Sequence, residues 1–139
     1  MSSTTGECLC GQIKVSIAKE ALDGDGKIAL CHCKNCRQAT GSMASTNIIV
    51  PESAVRITGQ PKIYQDSKTN SGKTVQRAFC GNCGSPIYSS TPSIPDALVV
   101  KMGLFDDIPK PSMEVYCKSR LSWNKPIDGA KQFDTMPTQ

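Results

Sequence analysis

Long apolar runs are missing from this chain. No window approaches the roughly 20 apolar residues that a membrane-spanning helix needs, which excludes such a span. The start, Met1-Ser-Ser-Thr-Thr-Gly-Glu7, has neither a basic n-region nor an apolar h-region, so no signal peptide is expected and the cytoplasm is the expected setting. Strong charge of one sign is missing as well: 16 Lys+Arg stand against 12 Asp+Glu, a net +4 over 139 residues, and the basic residues are scattered. Neither a nucleic-acid nor a membrane partner is expected from so weak a field. The chain has one histidine, His32, and one tryptophan, Trp123. No repeat and no internal linker divides it. With 38% hydrophobic and 20% charged residues it can fill a modest core, which excludes disorder as its default state.

What the chain does have is cysteine, at positions 8, 10, 31, 33, 36, 80, 83 and 117. Eight is an even number, and a disulfide framework is one reading, but disulfide-dense domains are usually secreted and smaller. Seven of the eight fall in tight clusters, Cys8-Leu-Cys10, Cys31-His-Cys33-Lys-Asn-Cys36 and Cys80-Gly-Asn-Cys83. That spacing favours thiolate metal binding.

The rest of the chain reads as short strands. Gln12-Ile13-Lys14-Val15-Ser16-Ile17 alternates polar and apolar residues with the period of a half-buried strand. Runs rich in β-branched residues follow at 27–30, 45–50, 55–57, 62–64, 74–79, 97–102 and 113–116. Turn signals separate them at Asp23–Gly26, Gly59–Pro61, Asn70–Gly72 and Thr91–Pro95. Helix is confined to Cys36–Thr40, stopped by Gly41, and a turn opening at Pro51. Residues 134–139 read as a frayed tail.

Side chains two apart on a strand share a face, so Cys8 with Cys10, and Cys31 with Cys33, each present two sulfurs to one side, and His32 points the other way. Cys80-Gly-Asn-Cys83-Gly84 is a knuckle whose glycines let two thiolates converge. A structural zinc takes four ligands and a catalytic one keeps a position open, so seven thiolates divide as four plus three. Spacing leaves two groupings open. Either Cys8 and Cys10 join Cys80 and Cys83, or Cys33 and Cys36 join that pair as a zinc ribbon.

At these residues the chain resembles the glutathione-dependent formaldehyde-activating enzymes and centromere protein V-like proteins. The pattern C-x-C, C-x-C-x-x-C, C-x-x-C-G stands here as Cys8–Cys10, Cys31–Cys36 and Cys80–Gly84, and Gly41-Ser42, Arg56-Ile-Thr-Gly59 and Arg120-Leu-Ser-Trp123 agree with it. The resemblance implies a mostly β fold of antiparallel twisted sheets of the β-tent type, with zinc knuckles and very little helix. It implies a domain over residues 6–127, with a short extension at 1–5 and a tail at 128–139. It implies two zinc ions per chain: a structural one on Cys8, Cys10, Cys80 and Cys83, and a catalytic one on Cys31, Cys33 and Cys36. The implied activity is that of a carbon–sulfur lyase acting on adducts of a small thiol, glutathione or similar, with a carbonyl compound such as formaldehyde. Two other readings stand beside it: a non-catalytic zinc binding module or chaperone, and an enzyme recruited to eliminate, cyclise or isomerise a larger substrate.

Three thiolates and Zn²⁺ sum to −1, which weakens the metal as an activator of water and suits it to an incoming sulfur. Arg37, beside the middle cluster, is a candidate for a substrate carboxylate. Ser42 is a candidate donor to thiolate or substrate. His32 reads as a hydrogen-bonded, partly buried histidine, Cys117 as a small buried hydrophobe, and Trp123 as a filler of the core.

Overall fold

The computed structural model describes residues 3–23 and 28–137. Among these residues, eleven strands in two sheets carry the fold. β1 (Ser3–Glu7), β2 (Lys14–Ala18) and β5 (Val55–Thr58) make a three-stranded antiparallel sheet with β2 in the middle. The larger sheet holds β3 (Ile28–Cys31), β4 (Ser45–Pro51), β6 (Lys62–Asp66), β7 (Val75–Phe79), β8 (Pro86–Ser90), β9 (Ala97–Lys101), β10 (Met113–Val115) and β11 (Lys131–Gln132). Its order is β11-β10-β3-β4-β9-β8-β7-β6. Pairing is antiparallel except at one end, where β10 runs parallel to both β3 and β11. No helix among the described residues is long and apolar enough to cross a membrane.

The strands expected from alternation are all present, apart from Lys27, which with the turn at 24–26 lies outside the described residues. β1, β8 and β11 were not foreseen, because β1 is polar throughout and β8 opens on a proline. The helix expected at 36–40 begins two residues earlier, as α2 (Lys34–Thr40), following a short α1 (Lys19–Leu22). Cys33 caps α2: its Sγ accepts from the Cys36 N–H at 3.3 Å, and Gly41 ends the helix in the left-handed conformation at φ 68°.

One core lies between the two sheets. Val15 and Ile17 of β2 face Ile48 and Val50 of β4, Val100 of β9, Ile87 of β8 and Met102, all fully buried. β1 comes close enough to the turn that follows β9 that a Cβ at Gly6 would lie 2.5 Å from the Leu104 carbonyl oxygen. The period of two then determines what the opposite face of the large sheet presents. Ile28, Ile48, Val100 and Ala78 look into the core, so their neighbours Ala29, Asn47, Lys101 and Arg77 look away from it. Register aligns them in rows: Met113, Ala29, Asn47 and Lys101 in one, and Ile49, Val99, Ser89 and Arg77 in the next.

Candidate functional site

Two groups of cysteine sulfurs converge. Cys8, Cys10, Cys80 and Cys83 form the first, every sulfur within 4.8 Å of the others. Cys8 and Cys10 sit in the turn after β1 rather than on a strand, and that turn throws Leu9 between them into solvent, 89% exposed. The knuckle closes through the Gly84 N–H, which donates to the Cys80 carbonyl at 2.8 Å; Gly84 holds φ +82°, a conformation costly for any other residue. The sulfurs of Cys8 and Cys10 are 3.6 Å apart and those of Cys10 and Cys80 3.7 Å. Four sulfurs at about 2.3 Å from one tetrahedral ion would stand about 3.8 Å apart, so the donor set and its spacing fit zinc. Polar hydrogens already face these sulfurs: the Ile13 N–H donates to Cys8 at 3.3 Å. Ser85 Oγ accepts from the Leu9 N–H at 3.1 Å, which leaves its own hydrogen for Cys83 Sγ at 3.3 Å. That hydroxyl, with the Ser85 N–H, holds the Cys83 thiol down at about 5.

Cys31, Cys33 and Cys36 form the second group, all buried, again with sulfurs within 4.8 Å of one another. β3 ends on Cys31, the chain turns through His32, and α2 brings Cys36 back over Cys33. All eight cysteines are free thiols. The three do not titrate alike. Hydrogen bonds to Cys33 and Cys36 push the Cys31 thiol up, and the same bonds, seen from Cys36, pull its thiol down, with the Lys101 charge helping. No fourth His, Cys, Asp or Glu joins them among the described residues. Spacing had left the division of the cysteines open; the geometry makes it Cys8, Cys10, Cys80 and Cys83 against Cys31, Cys33 and Cys36.

Beneath this second group lies a polar anchor. His32 is fully buried, and its Nε2–H donates to Glu114 Oε1 at 2.7 Å, on the side away from the sulfurs' cavity. The other Glu114 oxygen accepts from the Ile127 N–H and Gln132 Nε2, both at 2.8 Å, and Arg120 stands 3.4 Å from it. Burial raises the Glu114 carboxyl, but the Ile127, Gln132 and His32 donors and the Arg120 charge outweigh it and bring it to about 2. The expected hydrogen-bonded histidine is therefore present, wholly rather than partly buried. Cys117 belongs to neither cluster: half-buried, it donates to the Glu114 carbonyl and accepts from Arg120, each at 3.4 Å or less.

The three-cysteine group opens onto a cavity of about 220 Å³ on the outward face of the large sheet, floored by the aligned rows of β3, β4 and β9. Lys101 Nζ lies in it, buried, donating to Asn47 Oδ1 at 3.0 Å, while Asn47 Nδ2 donates to Ser45 Oγ at 2.9 Å. Burial pulls the Lys101 ammonium down and the charge at Cys36 resists it. Arg77, also at the cavity, gives its Nε–H to Asp66 at 2.8 Å. Neither Arg37 nor Ser42 is among the residues that line it. Arg37 is half-buried on α2, with Nε lacking a partner, and Ser42 is exposed after α2. Trp123 is no core filler: it is 69% exposed, in the stretch between β10 and β11. Nothing in the local sequence sets Arg77 or Glu114 apart from ordinary polar residues of a strand. The available signal for Lys101 was a charge two residues after Val99, opposite in parity to Leu98, Val100 and Met102.

A mostly β fold with one four-cysteine and one three-cysteine centre defines a class, and the comparisons with known proteins agree. The family model described as glutathione-dependent formaldehyde-activating enzyme matches residues 3–119. The chain belongs to that family. It is 30% identical over 91 residues to a Schizosaccharomyces pombe protein named as an uncharacterized lyase, a match that covers 63% of this chain and 58% of that protein. It thus spans less than two thirds of that relative's length. A crystal structure of a Rhodobacter sphaeroides protein shares the fold, with a TM-score of 0.58 and 22% identity over 76% of this chain and 90% of that one.

Proposed function

We propose that this protein is a zinc-dependent carbon–sulfur lyase that joins a small thiol to a carbonyl compound, or cleaves the adduct, at Cys31, Cys33 and Cys36. In this reading Cys8, Cys10, Cys80 and Cys83 hold a second zinc that staples the β1–β2 turn to the β7–β8 knuckle. The observation that carries it is the contrast between the two groups: four thiols at one, and at the other three buried thiols that also line a cavity. Family membership and the lyase name of the yeast relative support the reaction class.

Zinc bound by three thiolates would supply a soft centre that favours a sulfur ligand over water. The chain's own residues do the rest. The His32–Glu114 anchor fixes the end of β3, and so Cys31 and Cys33, in one orientation. Apolar side chains at Ile49, Val99 and Val115 lower the polarity of the cavity that the sulfurs share. In the forward direction the thiol gives up its proton, a carbon–sulfur bond forms, and the carbonyl oxygen takes up a proton as its π bond breaks; cleavage is the reverse, and no oxidant is consumed. Glutathione and formaldehyde are the pair the family name suggests. Eight free thiols favour a reducing, cytoplasmic setting.

The test is zinc content together with thiol–formaldehyde adduct formation, in the native chain and Cys33→Ser. Two zincs per native chain, one in a folded Cys33→Ser, and adduct turnover lost with that zinc are the expected results. A single zinc untouched by Cys33→Ser would leave a binding module as the better description.

A further inference from the structure

The cavity beside Cys31, Cys33 and Cys36 has a composition that limits what enters it. Its volume of about 220 Å³ falls below the roughly 300–1,000 Å³ of sites for drug-sized ligands. Ile49, Ile94, Val99, Met113, Val115 and Met136 give it apolar walls. Two charged side chains other than the cysteines line it, Lys101 and Arg77, and both are cations. Arg77 is neutralised by Asp66, a buried carboxylate that also accepts from Asn35 at 2.9 Å.

Lys101 differs from Arg77. It is 8% exposed, and among the described residues no carboxylate lies within ion-pair distance of it. An ammonium has three N–H donors, and among the described residues Asn47 Oδ1 is the one acceptor hydrogen-bonded to it. A buried cation so thinly partnered is costly unless something in its site completes it. The thiolates provide part of that compensation through the field of Cys36. They do not occupy the remaining donors, since no hydrogen bond joins Lys101 to any sulfur.

We propose that Lys101 is a specificity-determining residue, and that this cavity binds a compact thiol, or its carbonyl adduct, with an apolar body and a single carboxylate that Lys101 receives. This rests on the reading that the three-cysteine group takes the substrate sulfur. Glutathione matches its charge poorly: a tripeptide with two carboxylates and an ammonium offers more charge than the one open cation meets, and no acidic side chain lines the cavity to meet an ammonium.

The experiment is calorimetric titration of the zinc-loaded full chain with 3-mercaptopropionate, its neutral isostere 3-mercaptopropionamide, and glutathione, repeated on Lys101→Met with zinc content measured in parallel. A hydrogen-bonded carboxylate–ammonium pair in a buried site corresponds to about tenfold or more in affinity. The expected result is therefore a gap of about tenfold or more in favour of the carboxylate over the amide, with glutathione weaker than 3-mercaptopropionate. In Lys101→Met the gap closes, while zinc content and affinity for the amide are kept. Equal binding of acid and amide by the native chain, or tightest binding of glutathione, overturns the proposal and leaves the thiol site standing; this comparison needs no variant, so a misfolded Lys101→Met does not blunt it. Loss of zinc from folded Lys101→Met with the gap unchanged would reassign the residue to balancing the thiolates. Failure of every thiol to bind sinks the thiol-site reading, and this proposal with it.

Discussion

His32 and Glu114, 82 residues apart in sequence, meet through a 2.7 Å hydrogen bond out of reach of solvent. His32 is flanked by two cysteines of the cavity, and Glu114 collects donors from the chain beyond β10, so one contact ties the sulfurs to the far end of the protein. Glu114→Leu removes the acceptor for His32, Ile127, Gln132 and Arg120 together. Chemical denaturation should show a loss on the order of 3 kcal/mol, with Glu114→Gln milder. A change below about 0.5 kcal/mol, the range of ordinary surface substitutions, would show the anchor to be dispensable.

The same carboxylate sets an acid limit. Its folded pKa of about 2 lies below the ordinary 4.5, so the stability it contributes is fully present above pH 4.5 and is lost as pH falls from there through about 2. Thermal melts in that window should fall more steeply for the native chain than for Glu114→Gln. Parallel curves would assign the acid transition to other groups.

The two cysteine groups should respond differently to loss of a ligand. Cys80→Ser removes a sulfur from the buried junction of the two hairpins, and the expected outcome is loss of the cooperative fold, read by circular dichroism. Cys36→Ser should leave a folded protein with one metal fewer. A chelator strong enough to strip both sites should reproduce the first phenotype.

Gly6→Ala offers a test of the packing of β1 on the turn that follows β9. The added Cβ would stand 2.5 Å from the Leu104 carbonyl oxygen, which is backbone and cannot swing aside, and 2.9 Å from the Phe105 ring. Overpacking of this kind costs roughly 1–3 kcal/mol, to be read as a shifted urea midpoint with an unchanged slope.

Trp123, 69% exposed and the sole tryptophan, should emit at long wavelength in the native state and be quenched by iodide almost as well as in urea. A blue-shifted, protected emission would show that this loop packs elsewhere.

Much of this arrangement could be read in the residues themselves. Alternation at Gln12–Ile17 and the β-branched runs of β4 and β9 gave the strands, since one face of each is buried and period two is then obligatory. The cysteine clusters stood out because close spacing of thiols has few other uses. What could not be read depends on partners distant in sequence. Glu114 in a short strand looks like any polar alternate until Ile127 and Gln132 are beside it, and Lys101 gains its meaning from Asn47 across the β4–β9 pair. Trp123 departs from the tendency of aromatic residues toward the core because it sits on the surface, in the stretch between β10 and β11. The expectation of fraying failed within the described residues: the Tyr116 N–H donates to the Thr135 carbonyl at 3.0 Å, and Met136 and Pro137 reach the cavity.

That last contact separates two kinds of inheritance within one site. The sulfurs lie inside the stretch that the family shares, residues 3–119, whereas Met136 and Pro137, which help enclose whatever those sulfurs hold, lie outside it. Substitutions at Met136 or Pro137 can therefore alter the wall of the cavity without touching any of the seven clustered sulfurs, whereas a fragment cut after position 119 would lose Arg120, Ile127 and Gln132 and with them the donors that hold Glu114.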